Sequence, residues 1–337
     1  MTKTEDIPWQ KTSSWLLKGA HSVGSSGLTT GAAGALAGLA ILVEDPNRRL
    51  VICLFAIARA IGAVVTTAVS RGVIPEVPYG ESLVFSTCAS FIVYCIIAKH
   101  ELLIPGYYFA TLKWSRDYKH EILNNLFRTP GDKFLTCSEV GLHEGSCLKH
   151  RLIDFVKSLW SFSRLYTPIH LAPVLIFRRN MLLEKPKKVI KSLLRNIAES
   201  TAFISTMVFL AKYTVCILRN LDGRPPPLPA YIAILSGFST GLATLLERKN
   251  RRKELCLFTI PHTLYALYLW GRQSGVIMDI PHGSVVLFSI CMASIMYAFE
   301  EEPESISMLL NGLLKYFVGT EKNSGKHKEK QDTVSAI

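Results

Sequence analysis

Four side chains able to bind a metal or to react as thiols lie close together in one polar stretch of the chain. They are Cys137, His143, Cys147 and His150. Thiolate sulfur and imidazole nitrogen are the ligands that zinc prefers in proteins. However, nine residues separate the two cysteines and six separate the two histidines, and this spacing matches no standard zinc module. The residues leave three interpretations open: a structural metal, a regulated disulfide, or a packing or docking loop. The spacing alone therefore predicts neither a metal nor another cofactor.

Two of these residues also allow an enzyme hypothesis. A thiol such as Cys147 can act as a nucleophile when an imidazole such as His143 lies beside it. Such a thiol needs a lowered pKa and a positioned base, and spacing along the chain provides neither. The sequence contains no phosphate-binding glycine loop, nucleophile elbow, HExxH or kinase-type motif. We therefore predict that the protein is not an enzyme and keep a Cys/His membrane enzyme as an alternative.

Three further polar side chains stand inside apolar runs: Arg59, Lys212 and His262. A charge at the centre of a bilayer costs about 2.5–3.5 kcal/mol on insertion scales, so such side chains face a bundle interior, water or a partner. We interpret Arg59 and His262 either as the polar lining of a substrate or ion path or as structural residues bonded to backbone carbonyls. Lys212 lies near the end of its run, where a long side chain can extend to the membrane surface.

The elements that carry these residues are apolar enough to cross a membrane. The chain of 337 residues is 49% hydrophobic but has a formal net charge of +12, so its apolar and basic residues must be segregated. Uncharged runs of about 20 residues, the length of a membrane span, alternate with short basic segments. The charges form neither an arm nor a basic face with interleaved aromatics. We therefore predict membrane lipids as partners and no nucleic acid.

The apolar pattern occurs twice. Gly34–Arg59 aligns without a gap with Gly237–His262, 203 residues later, and the same register continues to Tyr94 and Tyr297. Identical pairs include Glu44/Glu247, Arg48/Arg251, Arg49/Arg252, Cys53/Cys256, Gly72/Gly275, Pro78/Pro281 and Gly80/Gly283. Solenoid repeats are about 20–50 residues long. This longer repeat indicates one three-helix module used twice, as in many membrane proteins.

Small residues mark one face of the first helix in each copy. The glycines are Gly27, Gly31, Gly34 and Gly38 in the first copy and Gly237 and Gly241 in the second. Steps of three and four residues place them on the same side of a helix. Because attraction between helices in lipid comes from packing, small residues favour close approach. We predict that these glycines pack helices, either within one chain or in a homo-oligomer.

We predict an all-α fold: a polytopic membrane helical bundle with seven or eight spans and an internal duplication of a three-span module. The expected segments are a polar N-terminus at 1–18, a first three-span repeat at 19–98, a polar loop with the Cys/His group at 99–151, a central region at 152–228, a second three-span repeat at 229–299 and a charged tail at 300–337. The central region combines an amphipathic helix, a half or full span and one further span. Eight spans, which we favour, give the repeats opposite orientations in the membrane, whereas seven make them parallel.

Each repeat carries a basic turn after its first span. The turns contain Arg48 and Arg49 in the first copy and Arg251 and Arg252 in the second. Basic residues beside a span set its orientation and attract acidic headgroups. We interpret them as orientation signals, with acidic lipids or an organelle-targeting receptor as alternative partners. The first 20 residues contain neither an apolar signal core nor an Arg-rich transit peptide, so we expect any organelle address to be internal.

Two stretches resemble a known family. Ser138–Cys147, which reads SEVGLHEGSC, with Phe162–Tyr166 and Pro168, resembles the cysteine-bearing amino-terminal region of the transmembrane protein 135 family. Leu242–Phe258 resembles the later half of that family. The glycine-striped helix and basic turn are also similar to the superfamily of mitochondrial inner-membrane translocase channels and the 24-kDa peroxisomal membrane protein. The chain departs from the family in its short length and in lacking an extended cysteine-rich region.

The resemblance implies a multispanning protein of peroxisomes and mitochondria, linked to lipid handling and mitochondrial dynamics, with no established catalytic site. It places Cys137, His143 and Cys147 in the cysteine-rich stretch of the family. We expect a peroxisomal membrane first and a mitochondrial membrane second. The expected role is lipid or metabolite handling and organelle organisation, with a transport path between the two repeats. The alternative is a non-transporting scaffold or import-related factor that binds partners through Arg248–Lys253 and the 99–151 segment.

Overall fold

The computed structural model describes residues 27–318 except Arg178, Asp279 and Ser307. Within these residues the backbone forms helices joined by turns and no strand, which confirms the all-α prediction. The predicted polar N-terminus and the end of the predicted tail lie outside the described residues. The chain divides into two compact units. Of the described residues, those at 27–76 and 278–318 belong to unit 1, and Val77–Ile277 belong to unit 2.

The described residues form α-helices that follow one another along most of the chain. In chain order they are α1 Gly27–Gly38, α2 Pro46–Ser70, α3 Gly80–Ala98, α4 Pro105–Ser115, α5 His120–Phe127, α6 Cys147–Phe177, α7 Arg179–Glu184, α8 Pro186–Asp222, α9 Ala230–Thr240, α10 Lys249–Gln273, α11 Gly283–Glu301 and α12 Met308–Val318. Short 3-10 segments follow α1, α3 and α9 at Leu39–Val43, His100–Leu102 and Gly241–Leu246.

Four of the described helices are long and apolar enough to cross a membrane. They are α2 from Arg48 onward, α3, α8 and α11. With their 3-10 extensions, α1 and α9 form shorter apolar helices, Gly27–Val43 and Ala230–Leu246. Only 28% of the most apolar part of α2, and the same share of α11, is buried within the protein. Since apolar surface left in water is unfavourable, this outward-facing surface favours contact with lipid.

In unit 1, α11 packs along α1 and α2. Ala60, Cys291 and Ile295 form one buried cluster, and α12 packs against it through Leu310 and Leu314. The residues 308–318 were expected to belong to a charged tail. They form an apolar helix instead, because four leucines follow the acidic residues at 300–304.

In unit 2, α3 packs against α9 and α10, while α8 packs against α6 and α9. One core cluster includes the fully buried Leu102, Tyr108, Leu126 and Ile232. A second includes Phe85, Phe162 and Phe203, with Phe85 and Phe203 in edge contact at 6.2 Å between ring centroids. Burial of these aromatic rings stabilises the contacts of α3, α6 and α8.

The segment 99–151 is a folded part of unit 2, whereas we expected a polar loop. It contains α4 and α5, and α5 turns Leu123, Leu126 and Phe127 inward. These helices have 11 and 8 residues, so each is too short for a long apolar repeat to mark it in the sequence. In the central region, the expected amphipathic helix and the half or full span form one continuous helix, because α6 continues through Pro168 and Pro173 for 31 residues.

The two compact units do not coincide with the two sequence repeats. Unit 1 combines α1 and α2 of the first repeat with α11 of the second, and unit 2 combines α9 and α10 of the second with α3 of the first. Helices at equivalent positions have equal lengths: α2 and α10 have 25 residues, and α3 and α11 have 19. The third helix of the first repeat, α3, thus lies in the unit of α9 and α10. The third helix of the second repeat, α11, lies in the unit of α1 and α2.

Candidate functional site

The loop before α6 returns His143 to the side of Cys137. The backbone N–H of His143 donates to the carbonyl oxygen of Cys137 at 3.4 Å. Gly141 permits this reversal because its φ of +77° lies in the left-handed region. Glu139 accepts hydrogen bonds from the backbone N–H and the hydroxyl of Thr136, which hold the pKa of the Glu139 carboxyl at about 2. The loop thus has a defined shape of its own.

A third cysteine reaches this loop from α8. The Sγ atoms of Cys137, Cys147 and Cys216 and one ring nitrogen of His143 all lie within 4.8 Å of one another. Cys147 is half-buried, whereas the other three residues are buried. All three cysteines are free thiols, and the Sγ atoms of Cys137 and Cys147 are 3.7 Å apart. We call these four residues the Cys3His cluster.

Each sulfur of the Cys3His cluster receives a hydrogen bond from a nitrogen donor. Arg219 donates to Cys137 Sγ at 2.7 Å, and Asn220 donates to Cys147 Sγ at 3.6 Å. Arg151 donates to Cys216 Sγ at 3.5 Å. The guanidinium groups of Arg151 and Arg219 belong to side chains that are only 1% exposed. Positively charged donors such as these guanidinium groups favour the thiolate form of cysteine over the thiol.

In the structure, Cys216 replaces His150 in the group of four candidate metal ligands that the sequence suggested. His150 stacks on His143 with ring centroids 4.7 Å apart, and its Nε2 lies 3.5 Å from Asp117 Oδ2. Cys216, which lies in an apolar run of the sequence, takes the fourth place. The signal that could have found it is a polar stripe of Lys212, Cys216 and Arg219 at steps of four and three residues.

A buried ion network adjoins the Cys3His cluster. Lys212 Nζ lies 2.5 Å from Asp154 Oδ2 and 2.8 Å from Asp117 Oδ2. Arg151 also pairs with Asp117, and Arg116 pairs with Asp154 at 3.2 Å. Burial raises the pKa of the Asp117 carboxyl, but Lys212 and Arg151 outweigh it and hold the pKa below its ordinary value. The network joins α4, α6 and α8.

Lys212 does not extend to the membrane surface. It is only 3% exposed, and its Nζ also donates to the carbonyl oxygen of Ser115 at 2.7 Å. The snorkelling interpretation is wrong because acceptors from the segment before α5 and from α6 lie within hydrogen-bond distance. On α6 the polar residues Arg151, Asp154 and Ser158 are buried, whereas Trp160 is 65% exposed. The exposed side of α6 thus combines apolar side chains with the basic residues Lys157 and Arg164, which are also exposed.

The other two polar residues of the apolar runs have different surroundings. Arg59 lies half-buried on α2 in unit 1. His262 lies half-buried on α10 in unit 2, where its ring stacks on Tyr107 at 4.2 Å and meets Phe258 edge-on at 5.3 Å. The chain positions of Arg59 and His262 are equivalent, but the aromatic contacts identify His262 as a packed residue. The proposed path lining therefore rests on Arg59 more than on His262.

The glycines pack against neighbouring helices. A Cβ on Gly34 would lie 2.7 Å from the carbonyl oxygen of Met292, and a Cβ on Gly237 would lie 2.5 Å from that of Ala89. Gly38 lies against Ser289, and Gly241 lies against Ser86. Gly27 and Gly31 are buried in the same face of α1. Ile234, the counterpart of Gly31, is instead 44% exposed.

The two basic turns have matching internal contacts. Arg49 Nε donates to the carbonyl oxygen of Glu44, and Arg252 Nε donates to that of Glu247, both at 2.8 Å. Arg48 pairs with Glu44 at 3.0 Å, and Arg251 pairs with Glu247 at 3.1 Å. These arginines therefore stabilise the helix connections in addition to any effect on membrane orientation.

No protein-family model matches the chain, and no solved structure matches its fold. The fold places the chain in the class of all-helical proteins. Four of its described helices are long and apolar enough to cross a membrane.

Proposed function

We propose that this chain is an integral membrane protein of peroxisomes or mitochondria that handles lipids or metabolites and arose by duplication of a three-helix module. The organelle and the cargo class rest on the resemblance of Ser138–Cys147 and Leu242–Phe258 to the transmembrane protein 135 family. The membrane assignment rests on apolar helices whose exposed faces suit lipid.

The observation that carries the proposal is the reciprocal helix packing. Gly34 approaches the carbonyl oxygen of Met292, and Gly237 approaches that of Ala89. The two glycines are 203 residues apart in the chain, and so are Ala89 and Met292. Tyr79 and His282, which are also 203 residues apart, both have left-handed φ values, of 59° and 57°. Duplication explains why contacts, turns and helix lengths all agree in one register. Close contacts of this kind are the usual packing between membrane helices.

We propose eight membrane crossings. The four long apolar helices account for four, and α10, α1 and α9 with their 3-10 extensions add three. The eighth is α6, whose 31 residues exceed the roughly 20 needed. It packs along α8, where its buried charges are paired, and it leaves Val156 and Trp160 exposed for contact with lipid. Eight crossings place the two basic turns on opposite sides of the membrane, as in an inverted repeat.

Single cysteines introduced at Asn47 and Asn250 test this topology. In sealed organelles, a membrane-impermeant maleimide should label one of the two positions, and the other should react only after permeabilisation. Wild-type protein measures the background from native cysteines, most of which are buried. Labelling of both positions from the same side would contradict eight crossings and the inverted repeat.

Reconstitution tests the handling of lipids or metabolites. Liposomes with the purified protein should transfer fluorescent fatty acid or release small metabolites faster than empty liposomes, and Arg59→Ala should slow that flux. If the liposomes stay impermeable and Arg59→Ala is harmless in cells, transport is wrong. The alternative scaffold role predicts instead that charge reversal at Arg248–Lys253 removes stable partners from a pull-down.

A further inference from the structure

We propose that Cys137, His143, Cys147 and Cys216 bind one zinc ion, which fastens the loop before α6 to the membrane helix α8. The ligands come from three elements. Cys137 and His143 lie in the loop, Cys147 is the first residue of α6, and Cys216 lies near the C-terminal end of α8. Three sulfurs and one imidazole nitrogen form a donor set that structural zinc sites use.

The distances fit one metal ion. Zinc–sulfur bonds of about 2.3 Å at tetrahedral angles place the sulfurs about 3.8 Å apart. Cys137 Sγ and Cys147 Sγ are 3.7 Å apart, and all four donor atoms lie within 4.8 Å of one another. One ion at the centre of these atoms therefore reaches every ligand with small side-chain adjustments.

His143 is an independent indication of a ligand. Its side chain is only 8% exposed, yet neither ring nitrogen has a hydrogen-bond partner of normal geometry. A buried polar atom without a partner destabilises the fold, because it has lost its bonds to water and gained none in return. His150 stacks on one face of the ring, which fixes its orientation but satisfies neither nitrogen. A metal bond would satisfy the ring nitrogen that faces the sulfurs.

Charge provides a third argument. Arg219 is 1% exposed, and two of its guanidinium nitrogens, Nε and Nη1, have no hydrogen-bond partner. No carboxylate among the described residues forms an ion pair with it. Its guanidinium donates to Cys137 Sγ and lies 5.8 Å from the ring centroid of Phe134. Three thiolates and one Zn²⁺ carry a net charge of −1. That charge would compensate the buried guanidinium, which neutral thiols do not.

Four protein ligands leave no open coordination position, so the ion is structural rather than catalytic. Its effect is to hold the segment that contains α4 and α5 against α6 and α8. Arg151 and Asn220 support the site from outside by donating to Cys216 and Cys147. Hydrogen bonds to the ligands of a metal orient those ligands and tune its affinity.

Metal analysis of the full chain tests the proposal. The protein is purified in detergent without chelators, and zinc is measured by mass spectrometry together with protein concentration. We expect about one zinc per chain. Cys216→Ser and His143→Ala should lose most of it. Arg219→Met should lower the zinc affinity about 10–100-fold. Cys256→Ser is the matched control, since Cys256 is a buried cysteine of the same unit outside the cluster, and should keep its zinc.

If the variants do not fold, metal exchange in the wild-type protein tests whether the Cys3His cluster binds zinc. After removal of zinc with a chelator, added Co²⁺ should produce the visible bands of a tetrahedral thiolate site, and added zinc should abolish them. A monodisperse wild-type protein without zinc, or one that binds iron in its place, would overturn the proposal. So would unchanged zinc content in folded Cys216→Ser, because the ion would then lie elsewhere.

Discussion

At the scale of residues, Lys212 is a buried charge of unit 2 that has two carboxylate partners. Lys212 is compensated by Asp117 and Asp154 from two other segments, so none of the three charges stands alone in an apolar environment. Removal of one partner from such a network is costly because it leaves a buried charge without compensation. The network therefore stabilises one arrangement of α4, α6 and α8.

Lys212→Met should destabilise the protein strongly. Breaking a buried ion pair costs about 3–5 kcal/mol, and the remaining arginines offset only part of this loss. Thermal unfolding in detergent, followed by loss of monodisperse protein, measures the change. Lys191→Met is the control, because Lys191 lies exposed on the same helix and should leave the midpoint nearly unchanged. Equal midpoints for the two variants would contradict a structural role of Lys212.

Glu247 gives the protein a predictable dependence on pH. Burial raises the pKa of its carboxyl above the ordinary value of 4.5, and Arg251 only partly opposes this. The protonated form is thus favoured in the fold. The corresponding stability is fully present below pH 4.5 and is lost as the pH rises through the folded-state pKa. Wild-type protein should therefore lose stability relative to Glu247→Gln as the pH rises above 4.5.

Glu44→Gln is the matched control for Glu247→Gln, because Glu44 occupies the equivalent turn of the other repeat. Its side chain is 35% exposed, whereas that of Glu247 is 1% exposed. Melting curves in detergent at several pH values should run parallel for wild type and Glu44→Gln. A difference between wild type and Glu247→Gln that stays constant over this pH range would show that burial of the charge is not the cause.

At the scale of elements, the glycine faces set how closely the paired helices approach. In each unit a short first helix packs against a 19-residue helix of the other repeat. The close approach depends on missing side chains, since a Cβ at Gly34 or Gly237 would overlap backbone carbonyl oxygens. Because packing and not water exclusion drives such contacts in lipid, loss of the fit has no compensation from the solvent.

Gly34→Ala and Gly237→Ala should destabilise the protein by similar amounts. Overpacking of a tight contact costs about 1–3 kcal/mol, and both positions face a backbone atom that cannot rotate away. Gly106→Ala is the control, because no atom lies within 4 Å of the added methyl group. Unfolding midpoints in detergent measure all three variants. If one repeat tolerates alanine and the other does not, the two contacts are not equivalent.

At the scale of the whole molecule, the membrane environment explains the distribution of apolar surface. Several helices turn their polar residues inward and leave large apolar side chains outside, for example Val156 at 64% and Trp160 at 65% exposed on α6. In water this surface would favour aggregation. In lipid it is the expected outer surface of a helix bundle.

Alkaline carbonate extraction of membranes tests this conclusion. The protein should remain in the membrane pellet, because spans buried in lipid are not released by disruption of electrostatic contacts. A peripheral membrane protein in the same sample should appear in the supernatant. Release of the chain together with that control would contradict a membrane-spanning protein.

The sequence determined the helical class, the apolar helices and the equivalence of residues 203 positions apart. These features depend on composition and on short-range periodicity, both of which are visible in a linear chain. It also marked three of the four members of the Cys3His cluster, because those lie within one short stretch.

The tertiary structure alone decided the partners of these elements. Cys216 reaches the cluster from α8, and Lys212 pairs with two carboxylates. The helix α3 packs against α9 and α10, and α11 packs against α1 and α2. The physical reason is that each of these contacts joins residues far apart in the chain. Periodicity indicates which face of a helix is packed, but it does not specify which other helix packs against that face.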